Sequence, residues 1–482
     1  MRSLNRAAAI LGAGAVCACT TVGPNFKEPA SPTASGYAMT GDARPAVAVL
    51  SPDTRSAGPW WRTLGSAQLD AVMTQALQDN QTVAVAIAAV DKARAQVQSV
   101  SGGLAPQVGA NAGFERERIN LAQFGFTSFP NPTINLLTIG SSVSYDLDLF
   151  GGGRRRVESS LASQEAQAHR ADAAYLTLTG NVALQAVRIA ALRAQIDALA
   201  TVTADDQRNI DIVRRAEAAG GEPRSASVGG KTQLAQDQAL RPALDQQLAQ
   251  ARHALALLVG KPPSEWTAPD FAFTEFTLPA AIPVTLPSSL VRTRPDILAA
   301  EADLHADTAA IGVATAKLYP DVTLGAAFAQ GAITPGTLFN YASSGWNFGP
   351  TVTAPIFNGG ALRADRRAAE AQARASLARY KQTVLSAFSQ VSDVLTALAH
   401  DDERITATTR VETVAEAGLQ DARAAYSLGG GPLLSVIDAQ RQLDRARFNR
   451  IDAQGQRLTD IIQLYAATAT DWREGAAPPS GR

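Results

Sequence analysis

Two stretches of the chain, 153–219 and 360–428, each run for more than sixty residues without a proline. Proline removes a backbone donor and clashes with the preceding turn, so its absence over such a span allows an uninterrupted helix. Apolar residues recur in them at spacings of three and four. Ile189, Leu192, Ile196 and Leu199 do so in the first, and Leu377, Tyr380, Val384, Phe388, Val391, Leu395 and Leu398 in the second. This is the stripe of a coiled coil. At its ordinary rise such a helix is about 100 Å long, several times the width of a domain. A compact enzyme has no use for that length, whereas a tube bridging a wide gap does. Aromatics are only 6% of the chain, and alanine dominates its apolar residues, which suits close helix packing over thin cores.

The long helices belong to a duplicated half. Leu104-Ala105-Pro106-Gln107-Val108 is matched by Leu318-Tyr319-Pro320-Asp321-Val322, an offset of 214. Asp148-Leu149-Phe150-Gly151-Gly152 is matched by Pro355-Ile356-Phe357-Asn358-Gly359, and Glu217-Ala218-Ala219-Gly220-Gly221 by Ala425-Tyr426-Ser427-Leu428-Gly429. So long a period excludes a solenoid. The first repeat is assigned to 60–285, with a helix, strands near 106–118 and 137–150, and long helices over 152–218 and 231–259. The second is assigned to 286–472, with a helix over 294–317, strands near 320–330 and 346–357, and helices over 360–427 and 433–470.

The strands alternate. Val108, Ala110, Ala112 and Phe114 interleave with Gln107, Gly109, Asn111 and Gly113, and Val322, Leu324, Ala326 and Phe328 with Asp321, Thr323, Gly325 and Ala327. One face is apolar and the other small or polar, a pattern for either a sandwich core or a lipid-facing barrel wall. Phe124, Phe126, Phe129, Phe339 and Tyr341 flank the strands, as an interfacial aromatic girdle would.

Other chemistries find little support. The 43 basic side chains nearly cancel 44 acidic ones, which argues against a nucleic-acid partner. His169, His253, His305 and His400 are scattered, so neither a metal site nor a cofactor is expected. Gly229-Gly230-Lys231-Thr232 lacks the upstream glycine of a phosphate loop, where Ser225 stands. Asp401-Asp402-Glu403 reads as a solvated acidic face.

Arg2 and Arg6 precede an apolar run too short to span a bilayer, which reads as a signal peptide over 1–18. Val16-Cys17-Ala18-Cys19 resembles a lipobox, making Cys19 the expected lipid attachment site, and Thr20 after it fits sorting to the outer membrane. The proline-rich 19–59 reads as an extended tether, and 473–482 as a disordered tail. No run is long and apolar enough for a membrane helix, so strands must do any spanning. An open sheet edge cannot exist in hydrocarbon, and a barrel of about eight strands is filled by its own side chains. Four strands per chain therefore call for three copies, the smallest set that leaves a bore.

Further residues complete a resemblance to a known family. They are Cys19-Thr20-Thr21-Val22-Gly23-Pro24-Asn25-Phe26, Trp60-Trp61 with Leu69-Asp70, Arg294-Pro295-Asp296-Ile297, Ile311-Gly312-Val313-Ala314, Asp146-Leu147-Asp148-Leu149-Phe150-Gly151, Pro355-Ile356-Phe357-Asn358-Gly359-Gly360, Ala254-Leu255-Ala256-Leu257-Leu258-Val259-Gly260 and Val436-Ile437-Asp438-Ala439-Gln440-Arg441. In order and spacing they resemble the outer membrane factors of tripartite efflux pumps, the TolC-like channels, in the lipoprotein branch (NodT/OprM-like) that serves RND-type pumps.

The resemblance implies a mainly α fold with membrane β: a trimeric transmembrane β-barrel continued by a periplasmic coiled-coil α-barrel, lipid-anchored in the outer membrane. It implies a homotrimer whose partners are a periplasmic adaptor and an inner-membrane RND-type pump, with passive conduction of small molecules and no catalysis. It also implies a periplasmic gate at Leu434, Asp438 and Arg441, where Leu434 narrows the bore and the two charges tie neighbouring tips. Their i, i+4, i+7 spacing puts all three on one helix face. The first-half tip departs from the family, with Arg224-Ser225-Ala226-Ser227-Val228-Gly229-Gly230-Lys231 in place of an acid and an arginine. The alternatives are a type I polypeptide secretion channel of the same fold, or a periplasmic coiled-coil adaptor lipoprotein, which leaves the four strands unexplained.

Overall fold

The computed structural model describes residues 21–32, 36, 37, 39, 50, 51, 59–125, 127, 128, 130–277, 282, 283 and 287–468. The signal segment 1–18, Cys19, most of 33–58, Phe126, Phe129 and the tail 473–482 lie outside the described residues. In chain order the elements are α1 Ala67–Asp79, α2 Gln81–Gly102, β1 Gln107–Arg118, β2 Thr133–Asp146, α3 Gly152–Ala218, α4 Arg224–Gln238, α5 Arg241–Val259, α6 Pro287–Thr293, α7 Pro295–Ala316, β3 Asp321–Ala332, β4 Ser344–Thr353, α8 Ala361–Ser427 and α9 Leu433–Thr468. The described residues fall into two units. One draws on Met1–Pro29, Ala89–Ala168 and Ala299–Lys381, the other on Ala30–Ala88, His169–Leu298 and Gln382–Arg482.

The first unit is built on an antiparallel sheet in the order β1-β2-β3-β4. The hairpin of each half pairs with its twin through β2 and β3, where Ser141 faces Phe328. β2 spans 133–146, against an expected 137–150, because the chain leaves the sheet to start α3. Asp148, at φ 44°, turns its carboxylate onto the first amides of α3, accepting from Gly153 N at 2.7 Å and Arg154 N at 2.9 Å. These amides lack partners inside the helix, so the carboxylate satisfies them and suits the helix dipole. Asn358 repeats the device before α8, accepting from Gly360 N at 3.1 Å, and β4 accordingly stops at Thr353.

The segment after the cysteine, expected to be a free tether, is laid against α3 and α7 where it is described. Val22 N donates to Phe150 O at 3.1 Å. The buried Arg155 holds Val22 O at 3.2 Å and Asn25 Oδ1 at 2.6 Å, and pairs with Glu158 at 2.7 Å. His305 bonds the other oxygen of Glu158 at 3.1 Å and stacks on Phe26 with ring centres 4.4 Å apart. Burial pushes the Glu158 carboxyl up, but the hydrogen bonds and charges of Arg155 and His305 outweigh it and hold it below its usual range. Gly23, at φ 91°, passes so close to α7 that a Cβ there would sit 2.5 Å from Gly312 Cα. Two glycines facing each other are what permits this approach.

In the second unit the reversals after α3 and after α8 are built alike. Gly220, at φ 75°, and Gly429, at φ 73°, end the two helices. Gly221 N reaches back to Ala216 O, and Gly430 N to Ala425 O, both at 2.9 Å. This glycine cap satisfies carbonyls that the helix end leaves open. α9 packs on Val213 and Leu419 through Leu433, Val436, Ile437 and Leu443. The first half differs from the run expected over 231–259. Its helix starts at Arg224, passes Gly229 and Gly230 unbroken, and is interrupted at Ala239–Leu240. Pro242, which has no amide to donate, starts α5 instead of continuing α4. Trp60 is fully buried and stacks on Tyr465 with ring centres 5.3 Å apart, fixing the start of the body on α9.

Candidate channel wall and helix tips

Register assigns every strand residue to one face of the sheet. Val108 lies opposite Val143, and Phe114 opposite Leu137. Phe328 lies between Ser141 and Trp346, and Ala326 opposite Phe348. These residues share a face with Tyr145, Leu324, Pro350 and Val352, while Asn111, Ser142, Ser144, Thr323, Asn347 and Thr351 share the other. Ile134 and Leu136 interrupt the polar face, opposite Glu117 and Glu115.

Trp346 is 79% exposed, Val108 75% and Phe348 73%. A contiguous apolar surface of this kind fits hydrocarbon and not water. Phe339 and Tyr341 are also exposed in the connection between β3 and β4. Among the described residues β1 and β4 are paired on one side only, so the sheet has two open edges. No described helix is long and apolar enough to cross a membrane.

The second site is the set of helix tips in the other unit. Leu434 is 63% exposed, next to the buried Leu433. Asp438 and Arg441 are exposed and reach each other along α9, Nη1 to Oδ1 at 3.5 Å. All three side chains are on the face of α9 turned away from the core that Val436, Ile437 and Leu443 fill. Cys19, the expected lipid site, is outside the described residues.

Beside these tips is a group of acids that sequence reasoning passed over. Asp206 of α3 is buried beside Asp237 of α4. Two carboxylates so placed disfavour each other's charge, and the Oδ2 of Asp206 is buried with no hydrogen-bond partner. Burial, the neighbouring Asp237 carboxyl and the charge of Asp444 push Asp206 up to about 7, against an opposing pull from Arg441. Asp444 of α9 is pushed up to about 6, by burial and by Asp205 and Asp237, although it accepts from Gln440.

A second acid pair, Asp401 of α8 with Asp460 of α9, corrects the reading of Asp401-Asp402-Glu403 as a solvated face. Asp401 is buried, and burial together with Asp460 pushes it up to about 7, against Arg404 and Arg457. Asp402 instead takes Arg457 at 2.8 Å. Helical phase is the only sign of either acid in the sequence. Asp206 continues the buried stripe of Leu199 and Val202 toward Ile210, and Asp401 follows Leu398 by three.

Four strands with hydrocarbon-compatible side chains on one face and polar ones on the other define a β-barrel wall protein carried on long helical hairpins. The family model described as outer membrane efflux protein matches residues 72–261 and 286–470, and the chain belongs to that family. It is 29% identical over 470 residues to the pyoverdine export outer membrane protein OpmQ of Pseudomonas aeruginosa, covering 96% of this chain and 98% of that one. To the cation efflux system protein CusC of Escherichia coli K12 it is 28% identical over 463 residues, with 93% and 95% covered. Among solved structures, the outer-membrane channel OprN superposes with a TM-score of 0.87 at 26% identity, over 94% of this chain and 100% of that chain. The open state of the Neisseria gonorrhoeae MtrE outer membrane channel gives a TM-score of 0.82 at 25% identity, over 94% and 99%. The protein is a TolC-like efflux channel of the outer membrane.

Proposed function

We propose that three copies of the chain form one duct through which an inner-membrane RND-type pump, coupled by a periplasmic adaptor, expels small molecules. The observation that carries this reading is the four-stranded sheet with its apolar face and two open edges. Neither edge can stay open in hydrocarbon. Three sheets closing β1 of one copy on β4 of the next give twelve strands and a lumen lined by Asn111, Ser142, Thr323 and Asn347. The duct itself is passive: walls that are polar apart from Ile134 and Leu136, and charged only at Glu115 and Glu117, hydrate a solute, and the pump supplies the work. Cys19 anchors each copy by its acyl chains.

Leu434, Asp438 and Arg441 form the periplasmic gate. They point away from the core of their own chain and are free to meet the tips of other copies. Leu434 closes the bore by apolar contact, and Asp438 and Arg441 exchange their weak mutual pair for pairs across copies. The test is mass determination in detergent by light scattering. A trimer that also opens conductance in planar bilayers is the expected result, and a monodisperse single subunit would overturn the reading.

A further inference from the structure

We propose that Arg116 and Arg118 bind the phosphate groups of the glycolipid that fills the outer leaflet of the outer membrane. The inference rests on the outer membrane placement of the sheet. From Gln107 to Tyr145 the chain carries four charges, Glu115, Arg116, Glu117 and Arg118, and from Val322 to Leu362 it carries none. The four charges are consecutive at the end of β1, so the two-residue period of the strand sorts them by sign. Register puts Arg116 opposite Asn135 and Arg118 opposite Thr133, on the face of Val108, Ala110, Ala112 and Phe114. The glutamates lie on the polar face.

Depth follows from the same register. All the helices of this unit leave the strands at the end of Gln107, Asp146, Asp321 and Thr353, so the connections 119–132 and 333–343 mark the outer end. From Val108 to Phe114 the apolar run measures about 20 Å along the strand, or about 15 Å of height at a barrel strand's usual tilt, more than half of the hydrocarbon band. Arg116 comes about 5 Å further out in depth and Arg118 as much again, so the pair leads from the edge of the hydrocarbon to the headgroups, which long arginine side chains reach. A cation is costly at the bilayer midplane and tolerated near the headgroups.

No carboxylate is available to neutralise them. Both arginines are exposed and make no ion pair among the described residues. In the closed barrel the neighbour of β1 is β4 of the next copy, which has no charged residue, as has the connection before it. What surrounds them is headgroup, and a planar guanidinium matches a phosphate through two parallel hydrogen bonds. Two of them one strand period apart present a fork to a bis-phosphorylated saccharide head.

The test is native mass spectrometry of the full-length trimer with bis-phosphorylated lipid A, with planar-bilayer conductance recorded on the same preparations. Wild type should retain lipid A. Arg116→Gln with Arg118→Gln should reduce retention about tenfold or more, the size expected for losing a charge-assisted contact. Glu115→Gln with Glu117→Gln should leave it unchanged, and the paired lysine variants should keep part of it. Equal retention by wild type and the glutamine variant, or equal retention of phosphatidylglycerol, overturns the proposal. Should the double variant fail to assemble, wild-type retention that is insensitive to about 0.5 M salt overturns it as well. Loss of lipid A with intact conductance leaves the channel reading in place, whereas failure of every version to conduct counts against the channel reading itself.

Discussion

Asp206 of α3 is buried beside Asp237 of α4, so that two carboxyls meet between the helices on the two sides of the first reversal. The carboxyl of Asp206 is held at about 7, far above its ordinary 3.8, so between about pH 4 and pH 7 the folded state keeps a proton that the unfolded chain has released. The stability contributed is complete below about pH 4, is lost as pH rises through 7, and is flat above. Asp401, also at about 7, has the same sign. Asp206→Asn should flatten this decline. Hydrogen exchange of residues 199–213 between pH 5 and pH 8 measures it, and an unchanged slope in the variant would refute the raised carboxyl of Asp206.

At the second reversal, Asp438→Ala with Arg441→Ala should raise single-channel conductance and the fraction of time spent open. The pair within one helix is exposed and worth only a few tenths of a kcal/mol, so the fold of the tip should be unaffected. Leu434→Ala should act in the same direction. Conductance identical to wild type in both would remove the gate from these positions.

The face assignment of the sheet is testable with two neighbours on β4. Phe348→Arg places a charge on the apolar face and should cost up to about 2–4 kcal/mol near the midplane, seen as loss of trimer in mild detergent. Asn347→Arg, one residue away on the polar face, should leave assembly intact and shift ion selectivity. Equal damage from both would mean that the faces are not lipid and lumen.

Arg155→Ala should release the N-terminal segment, since it removes the donor to Val22 and Asn25 and leaves Glu158 with His305 alone. Losing a buried charged partner costs about 3 kcal/mol or more, so limited proteolysis should cut between residues 21 and 29 much faster than in wild type. Gly312→Val should do the same sterically, because its Cβ would sit 2.7 Å from Arg155 Cγ and 2.9 Å from Val22 O.

Much of this was legible in the sequence, because periodicity reports local geometry. The proline-free stretches are α3 and α8, and the alternation from Val108 to Phe114 gave the apolar face of β1. The break between α4 and α5 was also written there, in Pro242, within the single helix expected over 231–259. The N-terminal docking was not legible. Its close approach is made by Gly23 on Gly312, which have no side chains to form a pattern and lie far apart in the chain. Nor were the buried acids, because an aspartate on a helix is ordinarily solvated. Only its phase relative to Leu199 and Val202 marks Asp206 as interior, and only the fold supplies Asp237. Conversely, the proposed pairing of Leu434, Asp438 and Arg441 between copies cannot be read from the periodicity of one chain.

The ladder between β2 and β3 has a consequence for biogenesis. It joins Leu137 to Ala332, roughly two hundred residues apart, so this ladder cannot form until most of the polypeptide has been made and exported. A half-translated molecule has one hairpin and no neighbour for it, and a lone hairpin is at best marginal in water. A complete four-stranded wall therefore exists only once the strands of the second repeat have been made.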